Sequence, residues 1–355
     1  MLFRCDHCGA EFRADPRKIP NPKVKFKCIR CKVGQLVLVS QADTSEKKSP
    51  APGPVTSRSA SKPAVKTASP SSPQEAKKML TQVKDLPSLP FVATKVMQLT
   101  TSPNTTMKQM EDVILKDSAL ASKVLKYSNS ALYGRSGQIT SMTDALVLLG
   151  FSTVKTIVIA SSVKSMHSSG GRGYSAAGKT LWAHSVETGI AARLLAKLKR
   201  KDLVEEAFIV GLLHDIGKNI IESKLPGYVR QLVILKKKGD LTFEEIEEQV
   251  LGINHSELGA ILCRKWNFPE ILEKAIRFHH HPSSNKKEPI LSHLACVSDA
   301  ISYHLSTPPP NQPESEANIL EMESSAFLEL DRETFQEIVK EVQETVERDR
   351  KTFDL

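Results

Sequence analysis

Aromatic residues are scarce in this chain. Phe, Trp and Tyr make up 5% of its 355 residues, whereas hydrophobic residues as a whole make up 40%. A core of this composition consists mainly of Leu, Ile, Val and Ala, which is typical of packed helices, and we expect one large all-α domain with small attachments. The longest apolar stretch that we identify, residues 157–163, is interrupted by serines, so we expect no membrane span.

Cysteine is also rare, and its positions are informative. The chain has six cysteines, and four of them form the pairs Cys5-x2-Cys8 and Cys28-x2-Cys31. This spacing is typical of a tetrahedral zinc site, and a piece of about forty residues needs such a staple to fold. Disulfide bonds between these cysteines are the alternative to a zinc site. We find no export signal, so we expect a reduced, cytoplasmic protein with a structural Zn²⁺ ion.

The first forty residues resemble the short bacterial zinc-ribbon modules, which are β-rich and in which the metal is structural. Residues 41–78 are dominated by Ser, Pro, Ala, Lys and Thr, a composition that predicts a disordered tether. The net charge of +9 is concentrated in the ribbon and tether. Because basic patches attract phosphates, a nucleic-acid contact of the ribbon is an open alternative to simple solubility.

Residues 79–305 are predicted to form the helical domain, and residues 306–355 a loop followed by an amphipathic C-terminal helix. Phe335, Ile338, Val342 and Val346 lie on one stripe of that last helix. We favour docking of this stripe on the chain's own domain, and contact with a partner or a second copy is the alternative. The sequence leaves the oligomeric state open, and we find no internal repeat.

Several nitrogen and oxygen donors of the helical half are directed towards apolar interiors. His184 lies on an apolar stripe, Asp299 shares a face with Leu291 and Ala295, and Gly217 is expected to close the helix that carries the His214-Asp215 pair. His255 begins a further apolar helix, and His279 and His280 end another. Each of these residues alone is more typical of a buried structural group.

Together the donors predict a metal centre. Imidazole and carboxylate donors suit Mn, Fe, Co, Ni or Zn as a divalent ion, and the donor types do not choose among these metals. We expect one ion to be held by His184, His214, Asp215 and Asp299, and a second by His255, His279 and His280 with Asp215 as a bridge. Such a centre is suited to phosphoester hydrolysis, in which His214 and Asp215 act at the catalytic centre and Lys218 steadies a phosphate.

These residues resemble the HD superfamily of metal-dependent phosphohydrolases, and the wider chain resembles its HDOD branch from about residue 80 to residue 305. The matching segments are LPSLP at 86–90, ILKDSAL at 114–120, KVLKYSNS at 123–130, ALVLLG at 145–150 and VKTI at 154–157. The resemblance implies an all-helical regulatory domain of bacterial signalling. The segment after the paired histidines lacks the Gly-Tyr-Pro of HD-GYP enzymes, which argues against cyclic-dinucleotide hydrolysis.

Three functions follow as hypotheses. The resemblance favours a regulatory signalling protein that acts through a protein partner or a nucleotide. The donor set favours a metal-dependent phosphohydrolase. The basic N-terminal region favours a ribbon-mediated nucleic-acid binder.

Overall fold

The computed structural model describes four short strands between residues 2 and 38 and most of the chain from residue 70 onward. Beyond residue 70 the description omits residues 71, 131, 133–137, 168–173, 175–179, 238, 240 and 307–314. The chain divides into two compact units, residues 1–66 and residues 67–355.

The first unit contains two antiparallel strand pairs. Strand β1 (Leu2–Arg4) pairs with β2 (Glu11–Arg13), and β3 (Lys23–Lys27) pairs with β4 (Gly34–Leu38). The four cysteines that we expect to bind zinc, Cys5, Cys8, Cys28 and Cys31, lie outside the described residues, as do residues 41–69 of the expected tether. The zinc site therefore stays a prediction.

The second unit is helical throughout the residues that the structure describes. Its front half contains α1 (Pro73–Thr81), α2 (Phe91–Thr101), α3 (Met107–Ile114), α4 (Ser118–Ser128) and α5 (Met142–His167). The central part contains α6 (Leu181–Lys199), α7 (Val204–Leu213), α8 (Ile216–Lys224), α9 (Pro226–Lys236), α10 (Phe243–Leu251), α11 (His255–Lys265) and α12 (Glu270–Arg277). The last part contains α13 (Ile290–Ser306), α14 (Glu316–Leu320), α15 (Glu323–Phe327) and α16 (Arg332–Phe353).

Helix α1 corrects the predicted boundary at residue 79. The Ser72 side chain accepts a hydrogen bond from the backbone N–H of Glu75, and Pro73 occupies the first turn. Ala76 and Leu80, one turn apart, are fully buried. The N-cap and the buried apolar pair thus begin a helix inside the stretch that was expected to be a tether. The overall composition of that stretch did not reveal these local signals.

Helix α5 corrects the expectation that no apolar stretch reaches the length of a membrane span. It has 26 residues and a stretch of mean hydropathy 1.9, and 56% of that stretch is buried inside the unit. The serines do not end the helix, because hydroxyls such as that of Ser162 donate to the carbonyl one turn earlier. The backbone breaks at Gly150, where φ is 74°, and the part after this break packs against α7 as a core helix.

The C-terminal helix α16 packs on its own unit, mainly against α6. Phe335, Ile338, Val342 and Phe353 of α16 are buried. The indole N–H of Trp182 donates to the backbone carbonyl of Phe353 at 2.8 Å. The segment 306–355 therefore continues the helical unit and includes two short helices, α14 and α15, where a plain loop was expected.

Gly217 does not close the helix that carries His214 and Asp215, as the sequence analysis expected. Helix α7 ends at Leu213, the pair forms a turn, and Gly217 lies in the first turn of α8. A Cβ atom built on Gly217 would lie 2.0 Å from the backbone carbonyl oxygen of His255. Glycine is needed here because the start of α11 runs directly against the start of α8, which brings His255 beside the His214-Asp215 turn.

Candidate metal centre

Five structural elements of the helical unit deliver the predicted donors to one buried place. Helix α6 contributes one donor, the α7–α8 turn two, the first residue of α11 one, the segment after α12 two, and α13 one. In that order they are His184, His214 and Asp215, His255, His279 and His280, and Asp299. The structure thus brings all seven predicted metal ligands together, although they span more than a hundred positions of the chain.

The first group of donors is His184, His214 and Asp299, and we call it subsite A. The Nε2 atoms of His184 and His214 are 3.2 Å apart. Asp299 Oδ1 lies 3.0 Å from His184 Nε2 and 3.4 Å from His214 Nε2. These three donor atoms are close enough to share one cation.

The second group is His255, His279 and His280, and we call it subsite B. The Nε2 atoms of His255 and His280 are 3.1 Å apart. His279 Nε2 is buried and makes no hydrogen bond with any described residue. A buried polar atom without a partner is unusual in proteins, and a metal ion would satisfy it.

Asp215 lies between the two subsites. Its Oδ2 atom lies 3.4 Å from His214 Nε2 and 3.6 Å from His184 Nε2, on the side of subsite A. Its Oδ1 atom lies 3.3 Å from His255 Nε2, on the side of subsite B. One carboxylate with an oxygen towards each group is the arrangement that a bridging ligand requires.

The outer ring nitrogens of four histidines fix which nitrogen faces the centre. The Nδ1 atoms of His214 and His279 donate to backbone carbonyl oxygens, those of Gly211 at 2.6 Å and Ile276 at 2.7 Å. His255 Nδ1 donates to a carboxylate oxygen of Glu247 at 2.6 Å. Because carbonyl and carboxylate oxygens only accept, the proton of each neutral ring is on Nδ1, and the Nε2 lone pair points inward.

The fourth histidine, His184, also carries its proton on Nδ1, and its acceptor is a hydroxyl. Its Nδ1 atom lies 3.0 Å from Ser302 Oγ, and that hydroxyl donates to Glu187 Oε2 at 3.0 Å. With its own proton engaged, Ser302 Oγ accepts from His184. The Nε2 lone pairs of His184 and His214 therefore face each other and two carboxylates, an arrangement that needs positive charge between them.

The titration behaviour of the donors agrees with this need. Burial opposes protonation of His214, but the charge of Asp215, together with Asp299, outweighs it and raises the pKa of His214 to about 10. Without a metal ion, a proton on His214 Nε2 therefore supplies the positive charge, and a bound cation would replace this proton. At subsite B, burial and the neighbouring His255 lower the pKa of His280 to about 3. Burial also lowers the pKa of His279 well below its usual value, so both rings are neutral and able to coordinate.

Lys218 lies one turn after Asp215 and forms a buried ion pair with it. The Nζ atom of Lys218 donates to Asp215 Oδ2 at 2.6 Å, and the Lys218 side chain is 6% exposed. Burial alone would lower the pKa of Lys218, but the charge of Asp215 raises it above its usual value. The predicted contact of Lys218 with a phosphate would require this ammonium to give up a buried ion pair.

A narrow cleft opens onto the centre beside His184 and Asp215. Its other described lining residues are the hydroxyl-bearing Tyr174, Thr180, Tyr303 and Ser306, together with Leu181 and Lys218. The Tyr174 hydroxyl donates to Glu247 Oε1 at 2.9 Å. The lining therefore offers hydroxyl groups and one apolar side chain around the metal donors.

Sequence reasoning missed the residues that hold the ligands, above all Glu247, Glu187 and Ser302. Glu247 follows Phe243 by four positions and precedes Leu251 by four, so it stands on an apolar stripe of α10. That is the same signal that identified Asp299. Tyr174 carries no such signal, because it lies in the connection between α5 and α6.

His167, at the end of α5, is a half-buried imidazole outside the donor set. Its ring meets Trp182 edge to face at 5.2 Å, and its Nδ1 atom donates to Val163 O. Burial lowers the pKa of His167 to about 4, against the small opposing effects of the Val163 carbonyl and Asp215. The neutral ring is therefore the form that the folded protein accommodates.

This burial predicts an acid-sensitive contribution to stability. Unfolded His167 takes up a proton near pH 6.5, whereas the folded protein resists protonation until about pH 4. Acidification through this window therefore stabilises the unfolded chain, by about 3 kcal/mol at most. Urea unfolding at pH 7 and pH 4.5 should show a smaller pH dependence for His167→Phe than for the wild type, and equal dependence would contradict the prediction.

Comparisons with known proteins support this fold. The family of the HDOD domain matches residues 86–282, which is more than half of the chain. An uncharacterized protein of Treponema pallidum (strain Nichols) is 25% identical over 259 residues, which are 72% of this chain and 50% of that protein. The chain thus spans about half the length of this curated relative.

Two crystal structures resemble the chain over most of its length. A candidate phosphohydrolase from Shewanella amazonensis SB2B has 25% identity and a TM-score of 0.63, and the match covers 78% of this chain and 97% of that one. A candidate signal transduction protein from Marinobacter aquaeolei VT8 has 20% identity and a TM-score of 0.61, with coverage of 80% and 66%. At this identity the similarity to the Marinobacter aquaeolei protein supports the fold alone.

Proposed function

The chain belongs to the HDOD domain family, and on that premise we propose that it is a regulatory signalling protein whose helical unit holds two divalent transition-metal ions. His184, His214 and Asp299 would hold one ion, and His255, His279 and His280 the other, with Asp215 between them. The observation that carries the proposal is the orientation of four imidazoles, whose Nδ1 atoms donate outward so that their Nε2 lone pairs converge.

The described lining of the cleft favours regulation through a bound partner over turnover of a nucleotide or another strongly anionic substrate. Among the described residues that line it, Lys218 is the only lysine or arginine, and its ammonium is paired with Asp215. A substrate with several phosphates would find no free basic side chain there. The hydroxyl of Thr180 can still donate a hydrogen bond to a ligand of low charge, and that of Ser306, which donates to the Ser302 carbonyl, can accept one.

Metal-dependent phosphohydrolysis is the second candidate, and the complete donor set favours it, as does the likeness to the candidate phosphohydrolase of Shewanella amazonensis. Bound metal ions would supply Lewis acidity towards a phosphoryl oxygen. The chain's own part would be to hold the ions, to keep the Nε2 lone pairs turned inward, and to orient the substrate through the cleft hydroxyls.

The proposal predicts a metal content that depends on the buried histidines. The full chain, stripped with a chelator and dialysed against Mn²⁺, should retain Mn²⁺ measured by elemental analysis, because imidazole and carboxylate donors suit this ion and thiolates do not. We expect His214→Ala to abolish retention at subsite A. His281→Ala is a matched control, because His281 is the next histidine after the donor pair and its side chain is 71% exposed.

Hydrolysis of phosphoesters decides between the two candidates. Mn²⁺-loaded chain that releases neither phosphate from mononucleotides nor p-nitrophenol from bis(p-nitrophenyl) phosphate would leave the regulatory function standing. Release that disappears in His214→Ala and persists in His281→Ala would establish the hydrolase. A wild-type chain that retains no Mn²⁺ would refute both.

A further inference from the structure

The two subsites are supported by different chemical groups. At subsite A, His184 is oriented by the neutral hydroxyl of Ser302, and His214 by a backbone carbonyl. At subsite B, His255 is oriented by the carboxylate of Glu247. Of the four imidazoles with an assigned outer partner, His255 is the one that donates directly to a charged acceptor.

Glu247 holds His255 at two points. Its Oε2 atom accepts from His255 Nδ1 at 2.6 Å and from the His255 backbone N–H at 2.7 Å. The Glu247 side chain is fully buried. The carboxylate thus fixes both the ring and the start of α11, and its negative charge makes the Nε2 lone pair of His255 a stronger donor.

The other oxygen of Glu247 connects subsite B to a residue that lines the cleft. Oε1 accepts from the hydroxyl of Tyr174, a cleft-lining residue in the connection between α5 and α6. Burial, together with the charge of Glu247, raises the pKa of Tyr174 well above its usual value, so the hydroxyl remains a donor. The chain of contacts from cleft to metal donor is therefore Tyr174, Glu247 and His255.

We infer that Glu247 is a positioning residue that sets the metal affinity of subsite B independently of subsite A, and that Tyr174 adjusts this affinity from the cleft. The inference rests on the proposed function, since it requires that both subsites bind metal. It implies that the two ions bind with different affinities and that removing the charge of Glu247 affects one of them.

The test is a Mn²⁺ titration of the full chain, in which free Mn²⁺ is counted by its electron paramagnetic resonance signal. For the wild type we expect two bound ions and the spectrum of a coupled pair. Glu247→Gln keeps the size of the side chain and an oxygen that accepts from His255, but removes the charge. We expect it to weaken one of the two binding steps, which we assign to subsite B, about 10- to 100-fold and to leave the other unchanged.

Two further variants sharpen the result. Glu248→Gln is the matched control, because Glu248 is the adjacent carboxylate of α10 and accepts from Asn254, the N-cap of α11, at 2.7 Å instead of from a metal donor. It should retain both binding steps. Tyr174→Phe keeps the ring and removes only the hydroxyl, and it should weaken the same binding step as Glu247→Gln, by less than about tenfold.

Equal weakening of both steps in Glu247→Gln, or no weakening of either, would overturn the inference while the proposed function stands. A wild-type chain that binds no Mn²⁺ would overturn the proposed function, and the inference with it. If Glu247→Gln does not fold, Tyr174→Phe decides, since unchanged binding in this variant would remove the link between the cleft and subsite B.

Discussion

Gly217→Ala should destabilise the helical unit and disconnect the two metal subsites. The new Cβ atom would lie 2.0 Å from the carbonyl oxygen of His255, and backbone atoms cannot yield as the end of a flexible side chain can. Helices α8 and α11 must therefore separate, which moves His255 away from Asp215. We expect the free energy of unfolding to fall by about 3 kcal/mol or more, as for severe overpacking, with loss of Mn²⁺ from subsite B.

Gly227→Ala is the matched control for this prediction. Gly227 lies in the first turn of α9, exposed, and a Cβ atom there would meet nothing within 4 Å. Alanine at such a helical position should stabilise the protein by up to about 1 kcal/mol. Urea unfolding of the metal-free proteins measures both effects. A Gly217→Ala protein as stable as Gly227→Ala would show that α8 and α11 are not held in this contact.

The donors of the centre could be predicted from the sequence because each carries its signal locally. His184 and Asp299 are polar residues on apolar helical faces, and the pair at 214 and 215 follows an apolar run. Stepping along one helix at a time was enough to select them. The resemblance to HDOD domains then supplied the helical fold, which the family match and the similar structures support.

The partners of these donors could not be predicted in the same way, because their roles depend on contacts between distant helices. Gly217 was interpreted as a helix end, since no local pattern reveals that α11 runs against α8. Glu247 is one of four glutamates in the first six residues of α10. Its place on an apolar stripe indicates that it faces inward, but only the packing of α10 on α11 shows that it accepts from His255. Lys218 was interpreted as a phosphate contact, whereas the fold places it against Asp215.

Asp215→Asn should have the second large effect, on both metal binding and stability. The substitution removes the one negative charge that faces His214, His255 and Lys218 together. Burial opposes the charged form of Asp215, but Lys218 and His214 hold the pKa of Asp215 well below its usual value, so the carboxylate is ionised in the folded protein. Without it we expect loss of Mn²⁺ from both subsites.

The stability effect arises mainly from Lys218, which is left as a buried cation without its partner. Breaking a buried ion pair from one side costs about 3–5 kcal/mol, whereas replacing both partners with groups of similar size costs far less. We therefore expect the double variant Asp215→Asn/Lys218→Met to recover most of the stability of the wild type in metal-free buffer. It should not recover metal binding, because the bridging charge is still missing.

Lys218→Met alone distinguishes the effect of the ion pair on stability from the effect of metal binding. In metal-free buffer it should be destabilised, because Asp215 then keeps a buried charge without its lysine. Added Mn²⁺ should restore its stability more strongly than that of the wild type, since a metal ion replaces the missing positive charge and binds only the folded state. If instead Mn²⁺ stabilises Lys218→Met and Asp215→Asn equally, the ion is bound without Asp215, and this carboxylate is not the bridge between the two subsites.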